Sequence, residues 1–183
     1  SGLALSGQHA DSFPAPWADA MFIANPITGK VQAARVQHQA DGEVQFTKLD
    51  DFVTCDDPWF RPIAIHFGPD DCLYIVDWYN PIISHNEVSR DHPDRDKKST
   101  RIWRVRHESQ PTGRPRDVAT VPTLELPELL DSDSTWISRA AWHQIAEREV
   151  VELIPSLDAM AKDDKRRVEA RILALWAIED LGQ

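Results

Sequence analysis

The stretch Asp57-Pro58-Trp59-Phe60-Arg61-Pro62-Ile63-Ala64-Ile65-His66-Phe67-Gly68-Pro69-Asp70-Asp71-Cys72-Leu73-Tyr74-Ile75-Val76-Asp77-Trp78-Tyr79-Asn80 decides the fold, because it reads as two short strands around one tight turn. Ile63, Ile65 and Phe67 alternate with Ala64 and His66, and Leu73 and Ile75 alternate with Tyr74 and Val76. That is the period of two that a pleated strand imposes on its faces. Between them, Gly68-Pro69-Asp70-Asp71 has the chemistry of a turn. Gly tolerates positive φ, Pro presets φ, and Asp hydrogen-bonds its own backbone.

The pattern recurs upstream. Ala20-Met21-Phe22-Ile23-Ala24 aligns on Cys72-Leu73-Tyr74-Ile75-Val76, with a following strand at Lys30 to Val36 in the first copy and at Arg101 to Val105 in the second. A spacing of about 50 residues is that of a propeller blade. A closed propeller needs about four to eight blades, and two fit here. The chain therefore reads as a piece of a longer protein, with any leader peptide outside it.

Trp59-Phe60-Arg61-Pro62, Phe67-Gly68-Pro69-Asp70, Leu73-Tyr74, Asp77-Trp78-Tyr79-Asn80-Pro81-Ile82-Ile83, His85 and Arg101-Ile102-Trp103-Arg104-Val105 together resemble a bacterial family. It is the membrane-bound-dehydrogenase family of planctomycetes and verrucomicrobia, the PVC-type haem-binding proteins. Its propeller is similar to quinoprotein glucose and sorbosone dehydrogenases. The motifs cover residues 1–106, and one departs from the family: its Gly after Pro-Asp is Asp71 here. Asp also visits the left-handed region, so the exchange bears on the turn type more than on the fold.

The resemblance implies blades ending a propeller, HEAT-like helical repeats after it, and haem c in a domain outside this chain. It also implies a periplasmic or otherwise extracytoplasmic location, pyrroloquinoline quinone with Ca²⁺ as cofactors, and a carbohydrate or alcohol substrate.

Composition is that of an ordinary folded domain, 42% hydrophobic and 27% charged. No apolar run reaches the length of a membrane span. A net charge of -10 argues against nucleic acid, because phosphate binding is driven by Lys and Arg. Cys55 and Cys72 form neither a metal-binding nor a haem-attachment motif; two buried thiols are the favoured reading and a single disulfide the alternative. No glycine-rich nucleotide loop and no Gly-x-Ser-x-Gly occurs, which leaves nicotinamide, phosphate-loop and serine-hydrolase chemistry without support.

The second copy differs from the first by a long insertion, Tyr79 to Thr100, where the first has only Asn25-Pro26-Ile27-Thr28-Gly29. Long irregular loops in compact domains are disproportionately functional. The insertion supplies His85, Glu87, Asp91, His92, Asp94 and Asp96. After Ser89 the simplest reading is a solvated loop whose charges pair with one another. Asp77 is in phase with the apolar Leu73 and Ile75, so it needs buried donors, expected in the Asn80 to His85 segment. It is either a staple for the loop or a site residue.

Arg61 either grips a carboxylate of a cofactor or substrate, or ties one blade to the next. His66, opposite in phase to Ile65, reads as a satisfied inter-blade histidine. By the resemblance, His85 and Asp77 are the catalytic candidates, His85 as proton acceptor, and Arg61 and Tyr79 the cofactor-binding ones. No metal ligands are assigned.

Three segments follow from these patterns: blades over 1–107, a turn-rich linker over 108–122, and helices over 123–183. Asp133 or Ser134 caps a helix that presents Ile137, Ala140, Ala141 and Ile145. A second helical stretch spans Val150 to Ala161 and starts late or kinks at Pro155. A third, capped by Asp163 or Asp164, is expected to bury Val168, Ile172, Leu175 and Leu181. Ile137–Ala146 overlays Val168–Ala177, a period somewhat short of the ~40 of HEAT repeats. Trp142 and Trp176 read as core residues.

The fold class is thus mixed: antiparallel propeller blades, then an all-α HEAT-like segment. Two functions from different classes remain. One is a fragment of an extracytoplasmic quinoprotein-like oxidoreductase, inactive alone, that passes electrons from a sugar or alcohol on to a haem domain. The other is a non-catalytic scaffold that binds a glycan or, through its helical repeats, a protein partner.

Overall fold

The computed structural model describes residues 2–5, 13–18, 20–83, 87–110 and 116–182. They form two compact units, Ser1–Pro111 and Thr112–Gln183. The first unit holds two open antiparallel sheets and the second is helical, which is the mixed class expected from the sequence.

The first sheet runs β1 (Leu3–Leu5), β2 (Ala20–Asn25), β3 (Lys30–His38) and β4 (Val44–Lys48) in spatial order. The short β5 (Val53–Thr54) pairs with the start of β3, on Lys30 and Val31. The β2–β3 turn is tight because the Asn25 carboxamide oxygen accepts from the backbone N–H of Ile27 and Thr28. The second sheet holds β6 (Pro62–Phe67), β7 (Leu73–Asp77) and β8 (Arg101–Val105), with β7 in the middle.

The β6–β7 turn follows its sequence. Gly68 N–H donates to Cys72 O, Asp71 N–H donates to Gly68 O, and the Asp70 carboxylate accepts from Cys72 N–H. Asp71 sits at φ 55°, the left-handed conformation for which Gly is the usual residue. Asp70 also accepts from Tyr74 Oη at 3.0 Å and Arg104 Nε at 2.7 Å, which ties the turn to β7 and β8.

The alternation in β6 is broken at its start. The β6–β7 register shifts between Pro62 and Ala64. Ile63 therefore leaves the face of Ile65 and is exposed, against the expectation of one continuous stripe. His66 is exposed as well, so the satisfied inter-blade histidine is corrected to a surface one. The thiols are both free, but only Cys72 is buried and Cys55 is exposed.

β2 and β7 occupy equivalent second places in adjacent sheets. Their buried faces bear on the relation between the copies. Ala20, Phe22 and Ala24 of β2 meet Ile65, Leu73 and Ile75 of the second sheet in one apolar cluster. Under the alignment of Ala20 on Cys72, Phe22 corresponds to Tyr74 and Ala24 to Val76, both only half-buried. The two meeting faces are thus opposite faces of equivalent strands. Repeats related by successive rotation about one axis stack in that way, one face of each sheet against the opposite face of the next, whereas a face-to-face pair related by a two-fold axis buries matching positions.

In the helical unit, α1 (Leu126–Leu129), α2 (Thr135–Arg148), α3 (Ile154–Lys162) and α4 (Val168–Asp180) share one core. Ser134 caps α2, its side chain accepting from Ile137 N–H. A 3-10 turn, Val151–Leu153, precedes α3, whose first turn holds Pro155 where no intrahelical N–H is missed.

Two expectations for α4 are corrected. Its N-cap position is Arg167, which makes no side-chain cap bond; Asp163 instead closes α3 and accepts from Lys165 N–H. Its buried stripe is Ala170, Leu173, Ala174 and Ala177, whereas Val168, Ile172 and Leu175 are exposed. Three alanines let α4 lie close against its neighbours, and that small-residue face won over the bulkier stripe. Trp176 is likewise exposed rather than core; its ring lies 5.3 Å from that of Trp142, whose Nε1 donates to Asp180 at 2.7 Å. Among the described residues, no helix is long and apolar enough to cross a membrane.

Candidate functional site

Alternation along β7 carries Asp77 to the same side as Leu73 and Ile75, and its side chain is fully buried. A buried carboxylate needs donors, and this one has four. Oδ1 accepts from the backbone N–H of Arg61 at 2.8 Å and of Tyr79 at 2.9 Å. Oδ2 accepts from Arg101 Nε at 2.7 Å and Trp103 Nε1 at 3.0 Å. Two bonds per oxygen use the acceptor capacity of a carboxylate. The expected burial is present, but of these donors none lies in the Asn80 to His85 segment.

Burial opposes the charge on Asp77; the bonds from the Arg61 backbone, Trp103 and Arg101 outweigh it and hold the carboxyl below its usual range. Desolvation likewise pulls the Arg101 guanidinium down, and Asp77 and Asp57 together raise it. Arg101 Nη1 reaches Asp57 Oδ2 at 2.9 Å, and its Cζ stands 3.9 Å from the centre of the Tyr79 ring. The ring of Trp59 lies 5.2 Å from that of Tyr79. Tyr79 itself is at φ 51°, a left-handed conformation that a bulky residue keeps only when its surroundings fix it.

These bonds close both ends of the insertion at one point. Trp78 N–H donates to Arg61 O at the exit from β7, and Thr100 Oγ1 donates to Asp77 O at the entry to β8. The buried Asn80 bonds across the loop, Nδ2 to Asp96 O at 2.8 Å, while its Oδ1 accepts from Ile82 N–H. Beyond Ser89 the charges pair locally, as Lys97 does with Asp91 at 3.0 Å. His85 lies outside the described residues.

Arg61 turns away from the insertion. Its Nη1 donates to Phe60 O at 2.9 Å, and a Cβ built on Gly29 in the β2–β3 turn of the other sheet would stand 3.5 Å from that nitrogen. The inter-blade tie is the reading its geometry favours. Among the described residues its Nε is buried without a hydrogen-bond partner.

The four candidates from the sequence thus separate. Asp77, Tyr79 and the Arg61 backbone come together, the Arg61 side chain leaves, and His85 is not described. Arg101, Asp57 and Trp103 were missed. Arg101 and Trp103 alternate in β8 and fall opposite Asp77 and Ile75 once the β7–β8 register is known. That register cannot be read from the sequence, because the path of the irregular loop between the strands does not fix where β8 begins to pair.

Among the described residues no three His, Cys, Asp or Glu side chains gather as a cation site. The Arg61 guanidinium is folded against the chain, and the Tyr79 ring carries Arg101 on one face. The arrangement can brace a loop and hold a buried ion pair; Asp77 has no acceptor position left for a substrate proton.

The chain matches the family described as Domain of unknown function (DUF7133) over residues 4–109. The match covers more than half of the chain, and the chain belongs to that family. No curated protein matches it, and no solved structure does.

Proposed function

We propose that this chain is the bracing end of an extracytoplasmic oxidoreductase propeller. It resembles quinoprotein sugar and alcohol dehydrogenases, and the HEAT-like helices follow it as a docking module. The observation that carries the reading is the Asp77–Arg101 node, which pins both ends of the segment 78–100 to one corner of the second sheet. Fixing a long loop at its roots is how a rigid scaffold presents functional groups. In this reading Asp77 is a positioning residue and Arg61 a tie between sheets. His85, inside the braced loop, is the proton acceptor, and the quinone, Ca²⁺ and haem are held by other parts of the parent protein.

The test uses the complete gene product supplied with pyrroloquinoline quinone and Ca²⁺, and follows reduction of an artificial acceptor across a panel of aldoses and polyols. His85→Ala should slow turnover with the quinone retained. Arg61→Ala should lower the melting temperature with quinone affinity unchanged. Absence of both quinone binding and acceptor reduction across the panel overturns the redox reading.

One observation favours the second reading, a non-catalytic scaffold for a glycan or protein. The strongest polar group of the corner is saturated by its own chain, while Trp59 and Trp103 beside it remain exposed. Retention of a glycan or protein by a chain that reduces no acceptor establishes that role.

A further inference from the structure

We draw no further inference here: the strongest candidate, the exposed apolar stripe of Val168, Ile172, Leu175 and Trp176 along α4, is an unpartnered helix face, and nothing in the structure shows what covers it.

Discussion

Asp77 and Arg101 are direct cross-strand neighbours on β7 and β8, and their side chains meet at 2.7 Å with the carboxylate fully buried. Because Asp77 also takes the backbone N–H groups of Arg61 and Tyr79, this pair joins three chain segments at one point.

Removing one partner of a buried pair strands the other. Asp77→Ala should therefore destabilise the first unit by about 3 kcal/mol or more, read from urea unfolding, and should speed proteolysis within 78–100. Arg101→Ala should cost less, since its side chain is partly exposed. Unchanged cleavage of the segment in Asp77→Ala would show that the loop is held by other means.

The same node sets an acid limit. Asp77 has its folded pKa lowered, so its contribution is complete above the ordinary Asp value of about 3.9 and is lost as pH falls through the depressed folded value. Asp70 and Asp131, also lowered despite desolvation, act in the same direction. Unfolding free energy measured from pH 6 downward should fall steeply below about pH 4, and Asp77→Asn should flatten that slope. An equal slope in the variant would assign acid sensitivity to other carboxylates.

Much of this was legible in the residues. The turn at Gly68 to Asp71, the burial of Asp77 and the placing of the equivalent strands β2 and β7 in separate antiparallel sheets all follow from local alternation, repeat spacing and turn chemistry. The partners of Asp77 were not, because Arg101 and Trp103 reach it only across a register set after a long loop. Ile63 was misplaced because a bulge shifts the phase by one residue, which turns a side chain to the other face. In α4, periodicity supported two apolar stripes, and size decided between them only in three dimensions.

Close packing of backbones makes Gly2 a sensitive position. A Cβ there would stand 2.5 Å from Ala64 Cα and 2.7 Å from Ile65 N, main-chain atoms that cannot rotate away. Gly2→Ala should cost about 1 to 3 kcal/mol, the range for overpacking, in equilibrium unfolding of the first unit. Gly42→Ala is the control for lost backbone freedom: its φ is 87° but nothing lies within 4 Å of the added carbon. If the two variants are destabilised equally, sheet-to-sheet contact at Gly2 is not the cause.

The helical unit offers a sharper contrast, because α4 carries two apolar stripes with opposite fates. Leu173 lies in the shared core with Ala170, Ala174 and Ala177, whereas Leu175, two residues on, is 56% exposed. Leu173→Ala should cost about 2 to 5 kcal/mol, by lost transfer energy and the cavity left behind. Leu175→Gln and Ile172→Gln should each stay within about 0.5 kcal/mol, as surface substitutions do. Thermal unfolding of this chain reads all three. Ala174→Leu should also destabilise, by about 1 to 3 kcal/mol, because the close face has no room for a larger side chain. A large loss in Leu175→Gln together with a small one in Leu173→Ala would restore the bulky stripe as the core face and reverse the orientation of α4.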